Sequence, residues 1–260
     1  VHSRCKQLPT SQNFGGLNMP AVFIHGVPDT PRVWRPVIGS LERKDIVTLA
    51  LPGFNCASPE GFDASKEAYA AWIVTQLERI GAPVDLVAHD WGAILGLRVV
   101  SVRPDLIQTW ACGGGVIDRE YVWHDFARQW QTPEIGEKVM DEVMVPETLA
   151  GLLTQFGVPR DTALDVAASA DERMKISMLR LYRSATNLGA EWHEGVDGIT
   201  RPGLVLWGRD DPFAQVEFAE RLARRVNAEL LVFENCGHWW PSQRPVEVAQ
   251  ALERFWATRH

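Results

Sequence analysis

The sequence has no excess of positive charge, few cysteines and no long apolar run. Lys and Arg number 26 against 33 Asp and Glu, a net charge of -7. With no basic stripe, that balance argues against a nucleic-acid surface. No apolar run approaches the ~18 residues that span a membrane. The start of the sequence shows no signal-peptide pattern, and a cytoplasmic protein is expected. Cys5, Cys56, Cys112 and Cys236 are the four cysteines. They are scattered without metal-ligand spacing and are expected to be reduced thiols. No spacing in the chain calls for a metal or another cofactor. Internal repeats and low-complexity tracts are also lacking.

What remains is an ordinary globular composition over 260 residues, 46% hydrophobic and 23% charged. That length suits one large α/β domain with a sizeable core. The 11 tryptophans are many for this length. They serve as packing, or several of them line an apolar pocket.

The most informative stretch is PVDLVAHDWGAILGLRVV, residues 83–100. Val84 to Ala88 reads as a buried parallel strand. Ala93 to Val100 resumes as a buried helix. Between them the small residues Ala88 and Gly92 flank Asp90. A strand turning sharply into a helix around one central residue is the geometry of a nucleophile elbow. A carboxylate at that centre is already ionised at neutral pH and needs no base to attack. The helix N-terminus behind it adds N–H groups and partial positive charge. An Asp at a helix start is also a common N-cap, so the rest of the chain has to decide.

Taken in order, a short strand is expected near residues 3–8 and a clear buried strand at Ala21–Ile24. A helix follows Pro31. A strand at residues 45–49 leads to a turn at Leu51-Pro52-Gly53-Phe54. Residues 65–81 form a helix that Ser65 can cap. After the elbow comes a strand at 106–112. Residues 118–195 contain no buried strand and suggest four or five helices. Beyond Pro202, strands at 203–207 and 229–233 alternate with helices at 215–226 and 245–258. Alternation of this kind implies a mostly parallel sheet with helices on both faces. The expected division is a core of residues 1–117 and 196–260 with an inserted helical cap of 118–195.

Active sites of such sheets lie beyond the carboxyl ends of the strands. Three more stretches fall there. His25-Gly26-Val27-Pro28 can aim the Val27 N–H at the elbow beside that of Trp91, and two such donors make an oxyanion hole. Trp207-Gly208-Arg209-Asp210-Asp211-Pro212 offers a carboxylate to orient a histidine, with Asp211 favoured over Asp210 and Asp118 as the remaining candidate. Asn235-Cys236-Gly237-His238-Trp239-Trp240 offers the histidine, on a loop after the last strand. Nucleophile, acid, histidine is the chain order expected of this fold.

HGVPDTPRVW, LPGF, VAHDWGA, LWGRDD and NCGHWW together resemble the α/β-hydrolase superfamily over nearly the whole chain. The Asp-Trp elbow resembles its branch of epoxide hydrolases and haloalkane dehalogenases. That resemblance implies two steps. Asp90 attacks carbon to form an alkyl ester. His238, oriented by Asp211, then activates the water that hydrolyses the ester, and the oxyanion lies between the Val27 and Trp91 N–H groups.

The two branches differ in the leaving group. Leu181-Tyr182-Arg183 resembles the second ring-opening Tyr motif of epoxide hydrolases, and CGHW around His238 is closer to them too. The position of the first Tyr falls in WHDFARQWQTP. Phe126 aligns there, with Tyr121, Trp123 and His124 nearby, so Tyr182 would need a Trp or His partner. For a dehalogenase, Trp91 is in place, but Val27 cannot be the halide-binding Asn, and Trp123 or Trp130 would have to substitute. The fluoroacetate pattern is disfavoured, because Trp91 and Ile94 replace its Arg pair. A non-catalytic binding protein of this fold is the other class, and an intact Asp-His-Asp set argues against it. The resemblance therefore implies opening of an epoxide to a vicinal diol. A small, uncharged, hydrophobic substrate is expected. His25, Pro28, Trp34, Tyr121, Trp123, Phe126, Trp130 and Trp239 are expected to line its pocket. The protein is expected to be a monomer or a homodimer.

Overall fold

Short runs of β-branched and aliphatic residues build one parallel sheet in the computed structural model, which describes residues 19–259. Its strands are β1 (Ala21–Ile24), β2 (Ile46–Leu49), β3 (Val84–His89), β4 (Ile107–Gly113), β5 (Gly203–Gly208) and β6 (Glu229–Phe233). Every pairing is parallel, in the order β2-β1-β3-β4-β5-β6. β1, β3 and β5 are buried along their whole length. Such strands need a cover on both faces, which explains their unbroken apolar runs. β6, at the edge, is largely open to solvent except at Phe233.

Strand order reverses between β1 and β3. Brought together at that crevice are the loop after β1 and the turn after β3, the usual place for a ligand in an open parallel sheet.

Helices α1 (Arg35–Ser40), α2 (Lys66–Ile80) and α3 (Trp91–Val102) belong to the first half. α2 is started by the Ser65 hydroxyl, which accepts from the Ala68 N–H, and it ends at Gly81 with φ 77°. Tyr69, Ile73, Leu77 and Ile80 form its buried stripe. Nine of the twelve residues of α3 are buried, so this helix has no polar face and runs through the core behind the elbow.

Six helices stand between β4 and β5, one or two more than the periodicity predicts: α4 (Asp125–Gln131), α5 (Ile135–Val143), α6 (Pro146–Gln155), α7 (Arg160–Ala167), α8 (Glu172–Arg183) and α9 (Leu188–Asp197). Pro133, Pro146 and Pro159 divide the segment, because proline is tolerated at a helix start but not in its interior. α10 (Val216–Arg225), α11 (Trp240–Gln243) and α12 (Pro245–Ala257) complete the chain. The sequence pattern misses α11, a single turn that opens at Trp240-Pro241.

The strand expected near residues 3–8 lies outside the described residues. Cys112 and Cys236 are free and buried. Cys56 is disulfide-bonded, contrary to the expectation of a thiol. Among the described residues no helix is long and apolar enough to cross a membrane.

Candidate active site

Asp90 joins β3 to α3 with φ 54° and ψ -124°. A positive φ is costly for a residue with a Cβ and persists only when its surroundings hold it. Here the Asp90 N–H donates to the Gly113 carbonyl at 2.9 Å, and its own carbonyl accepts from Ala93 and Ile94. A Cβ on Gly92 would come within 2.6 Å of the Ile24 and His25 carbonyl oxygens. A Cβ on Gly26 would overlap the Asp90 carboxylate itself. Only glycine lets the β1 loop and the elbow approach so closely.

The Asp90 side chain does not cap α3. Its Oδ1 accepts from the Val27 N–H at 2.7 Å, and the Trp91 N–H also stabilises the carboxylate. Its Oδ2 lies 3.4 Å from His238 Nε2. Burial works against ionisation, but His238 and these N–H groups outweigh it and hold the Asp90 pKa below the usual carboxylate range.

His238 Nδ1 is 2.8 Å from Asp211 Oδ2. The other oxygen of Asp211 accepts from the Phe213 and Ala214 N–H groups at 2.9 and 3.1 Å, which fixes the carboxylate against the loop after β5. Burial alone would lower the His238 pKa. The Asp211 and Asp90 carboxylates on either side prevail and raise it to about 10. Asp210 is exposed and only its backbone N–H is engaged, on the Cys236 carbonyl. Asp118 is buried against Arg221 at 3.1 Å and Arg225 at 3.7 Å, away from His238. Asp211 is therefore the acidic residue that reaches the histidine.

A cavity opens above this set. Of the residues expected at the pocket, Pro28, Tyr121, Trp123, Phe126, Trp130 and Trp239 line it, together with Val27, Trp91 and Tyr182. His25 and Trp34 do not. Both ring nitrogens of His25 are committed, Nδ1 to the Gly26 carbonyl at 2.7 Å and Nε2 to the Leu51 N–H at 3.0 Å. Burial lowers its pKa to about 4. It ties the loops after β1 and β2 together. Trp34 turns into the core against Phe23, His89 and Trp240. Their nearness in sequence to the active loop carried no information about which way the side chains point. Conversely, the apolar wall of Val143, Met144, Leu149, Leu152, Leu153, Phe156 and Met178 was missed. On a helix, residues facing a cavity and residues facing a core show the same spacing.

Tyr182 is buried, with ring centroids 4.9 Å from Trp130, 5.2 Å from Trp91 and 5.5 Å from Trp123. Of the three tyrosines, Tyr69 donates to the Pro52 carbonyl and Tyr121 to the Phe213 carbonyl. The Trp91 indole N–H is turned toward the Tyr182 hydroxyl without closing a hydrogen bond of ordinary geometry. Burial, with Asp90 nearby, raises the Tyr182 pKa and keeps the phenol protonated.

Asp29, just past this loop, is also buried, and its Oδ2 accepts from the Trp239 indole at 3.0 Å. Among the described residues its Oδ1 has no partner. Burial raises its pKa from 3.8 to about 7 against the pull of the Trp239 bond. Folding therefore takes up a proton between these values, and the stability from this group falls as pH rises through that window. Asp29→Asn is expected to melt several degrees above the parent at pH 8 and close to it at pH 4, near the unfolded pKa, since roughly 2–4 °C accompany each kcal/mol in a chain of this size. Thermal melts at the two pH values check this. An equal difference at both would show that Asp29 does not titrate there.

A family profile described as the alpha/beta hydrolase family matches residues 21–251. The chain is 25% identical over 254 residues to an (E)-2-((N-methylformamido)methylene)succinate hydrolase of Acinetobacter baylyi, covering 94% of this chain and 92% of that protein. It is 36% identical over 264 residues to a monoacylglycerol lipase of Rattus norvegicus, covering 92% and 75%. Its fold resembles a meta-cleavage product hydrolase from Pseudomonas fluorescens (TM-score 0.78, 18% identity, 94% and 93% covered). It also resembles a haloalkane dehalogenase from Bradyrhizobium elkani (0.72, 19%, 94% and 92%) and a Bacillus megaterium epoxide hydrolase (0.70, 20%, 93% and 94%). At these identities the structural likenesses speak for the fold alone.

Proposed function

The chain is a hydrolase of the alpha/beta hydrolase family, and from that premise we propose that it opens epoxides to vicinal diols through an ester on Asp90. The observation that carries this reading is the placement of Tyr182. It shares one cavity with Asp90 and His238, and its hydroxyl is not committed to a backbone carbonyl as those of Tyr69 and Tyr121 are.

Asp90 Oδ1 is held by the Val27 N–H, and Oδ2, which faces His238, is the nucleophile. Oδ2 forms a bond to one ring carbon, the ring C–O bond breaks, and the departing oxygen takes the Tyr182 proton. An alkoxide is too basic to leave unaided near neutral pH. A phenol transfers a proton readily, whereas an indole N–H does not. The Tyr182 phenolate regains its proton from the His238 imidazolium; in the second step the now neutral Nε2 takes a proton from water, and the hydroxide attacks the ester carbonyl carbon. Charge then develops on Oδ1, which the Val27 N–H already contacts, with the Trp91 N–H beside the carboxylate. Collapse releases the diol, whose departing oxygen takes the remaining proton of the attacking water, and restores the carboxylate.

The cavity also supports an uncharged substrate. Neither Lys nor Arg lines it, so a substrate carboxylate would be buried without a counter-ion. The relative from Acinetobacter baylyi is named for a succinate derivative, and we propose instead a small hydrophobic epoxide here.

One observation favours the dehalogenase reading. The indole N–H groups of Trp91 and Trp130 are buried and unpaired among the described residues, as a halide site requires. Both have almost no accessible surface, however, and a halide would have to part the rings to reach them.

A parallel assay separates the two. We expect diol from styrene-oxide-type and aliphatic epoxides, and no halide from 1-bromo- and 1-chloroalkanes. Tyr182→Phe is expected to slow ester formation by roughly 10²-fold. Halide release without diol overturns the epoxide reading. Diol formation indifferent to Tyr182→Phe removes that residue from the mechanism.

A further inference from the structure

We propose that Lys66, a buried cation on the core helix α2, is a positioning residue for Tyr182: it clamps the end of α8 and so sets where the phenol stands above Asp90. The inference rests on the epoxide reading, in which Tyr182 gives the proton. The Tyr182 ring packs against Trp91, Trp123 and Trp130. Among the described residues no backbone carbonyl holds its hydroxyl. The place of that hydroxyl is therefore decided by the last turn of α8.

Lys66 is the first residue of α2, directly after the Ser65 cap. Only 4% of its side chain is exposed. An ammonium is kept inside a protein only when it is paired. Here Nζ donates to the Ser184 carbonyl at 2.7 Å and pairs with Glu67 at 2.5 Å and with Glu191 of α9 at 2.6 Å. The Lys66 backbone N–H donates to the Ser184 hydroxyl at 2.8 Å. Ser184 is the C-cap of α8, and its hydroxyl donates on to the Leu181 carbonyl at 2.7 Å. Lys66 thus meets the end of this helix at two points. A helix C-terminus leaves carbonyls without partners and carries partial negative charge, and a cation answers both. The following residue is held as well. Its carbonyl, that of Ala185, accepts from the Trp123 indole at 3.0 Å, and Trp123 stacks on Trp91 of the elbow.

An apolar side chain could fill the place of Lys66 without the cost of burying a charge. What the ammonium adds is direction, since hydrogen bonds fix one position of the helix end where apolar packing tolerates slippage. Arg32 and Arg35 also reach the cap, at Asp165 of α7, but those side chains stand in solvent, where a pair contributes little. Asp90, His238 and Asp211 are independent of the clamp. Their hydrogen bonds run to one another and to backbone groups of the core. Loss of Lys66 should therefore disturb the step that uses Tyr182 and spare the step that does not.

The test separates the half-reactions by rapid quench and intact-mass detection of the ester, with a terminal epoxide. Lys66→Met keeps an unbranched stem and removes the ammonium. It leaves no charge buried, because Glu67 and Glu191 are 57% and 43% exposed. Ester formation at saturating epoxide is expected to slow about tenfold, within the ~10²-fold that a misplacement on the order of 1 Å can cost. The epoxide concentration at half-maximal rate and the rate of ester hydrolysis should stay as in the parent. The double variant is the sharper readout. Lys66→Met should slow a Tyr182→Phe protein by less than about twofold, because the group it positions is already gone. Ser184→Ala cuts the hydroxyl bridge and leaves the ammonium in place, so it should give the same pattern at smaller amplitude, and it serves if Lys66→Met does not fold. Parental ester formation in the variants overturns the inference and leaves the epoxide reading in place. So does a loss of the same size on the Tyr182→Phe background, or equal slowing of both half-reactions, since either marks a general loss of structure. If the unmodified protein forms no diol from any epoxide, the reading and the inference fall together.

Discussion

Asp90→Asn is expected to lose turnover by a factor on the order of 10⁴ or more, with the fold retained. Nucleophile replacements in hydrolases typically cost this much or more. Asn is the better probe than Ala because Asp90 sits at φ 54°, a conformation Asn tolerates and Ala does not. The amide oxygen can still accept from the Val27 N–H, so the oxyanion contact survives while the nucleophile is gone. The same change has a second readout. His238 owes part of its raised pKa to the Asp90 carboxylate, and removing that charge should lower it, which NMR titration of the imidazole measures. The positive evidence comes from one turnover of the unmodified protein in ¹⁸O water. Water attacks the ester carbonyl, so label should appear in the Asp90 carboxylate. Label found only in the diol would mean direct attack on the substrate, and Asp90 would not be the nucleophile.

The parts of this site that were legible in the sequence are those where backbone geometry restricts residue type. The elbow is one. Gly92 and Gly26 lie where a Cβ would meet a carbonyl or the carboxylate, and that demand leaves a visible pattern of small residues around Asp90. The loops with Asp211 and His238 were legible because they fall at strand ends in the expected order. Side-chain direction was not legible. His25 and Trp34 sit beside functional residues in the chain, yet both face inward: the His25 ring is held by the Gly26 carbonyl and the Leu51 N–H, and Trp34 ends a buried turn that starts at Pro31. The cap was the least legible region. Its short helices are separated by prolines, and Leu149, Leu152 and Leu153 have the spacing of any core-facing stripe. Only tertiary packing makes that stripe the wall of a cavity. His124 illustrates the same limit. In sequence it is one of several polar residues in WHDFARQWQTP, and its place as the N-cap of α4 emerges only from the fold.

His238→Gln is expected to form the ester at a rate near that of the parent and then stall, so that a covalent adduct of substrate mass accumulates. The loss in ester hydrolysis should be on the order of 10²–10⁴-fold, the range of a general base. The argument for a stall at the second step alone is electrostatic. At rest, His238 lies between the Asp90 and Asp211 carboxylates with its pKa raised to about 10, so at neutral pH it is mostly an imidazolium and cannot act as a base. It is not needed as one yet, since Asp90 is already ionised. Esterification removes the Asp90 charge and the hydrogen bond it accepts, and one of the two influences that raised the His238 pKa disappears. The imidazole then loses its proton more easily and becomes a base once there is an ester to hydrolyse. The pH dependence follows with a definite sign. Ester hydrolysis in the unmodified protein should speed up as pH rises through the lowered His238 pKa, while ester formation holds down to the depressed pKa of Asp90. Acid pH should therefore enrich the adduct even without mutation, and Asp211→Asn should enrich it further by removing the remaining carboxylate that orients the ring. Asp210→Asn should have little effect, because that side chain is exposed. Intact-mass spectra of samples quenched at pH 6 and pH 9 decide the matter. An adduct that is absent from His238→Gln with a turned-over substrate, or more abundant at pH 9 than at pH 6 in the unmodified protein, would rule out the two-step scheme with His238 as its base.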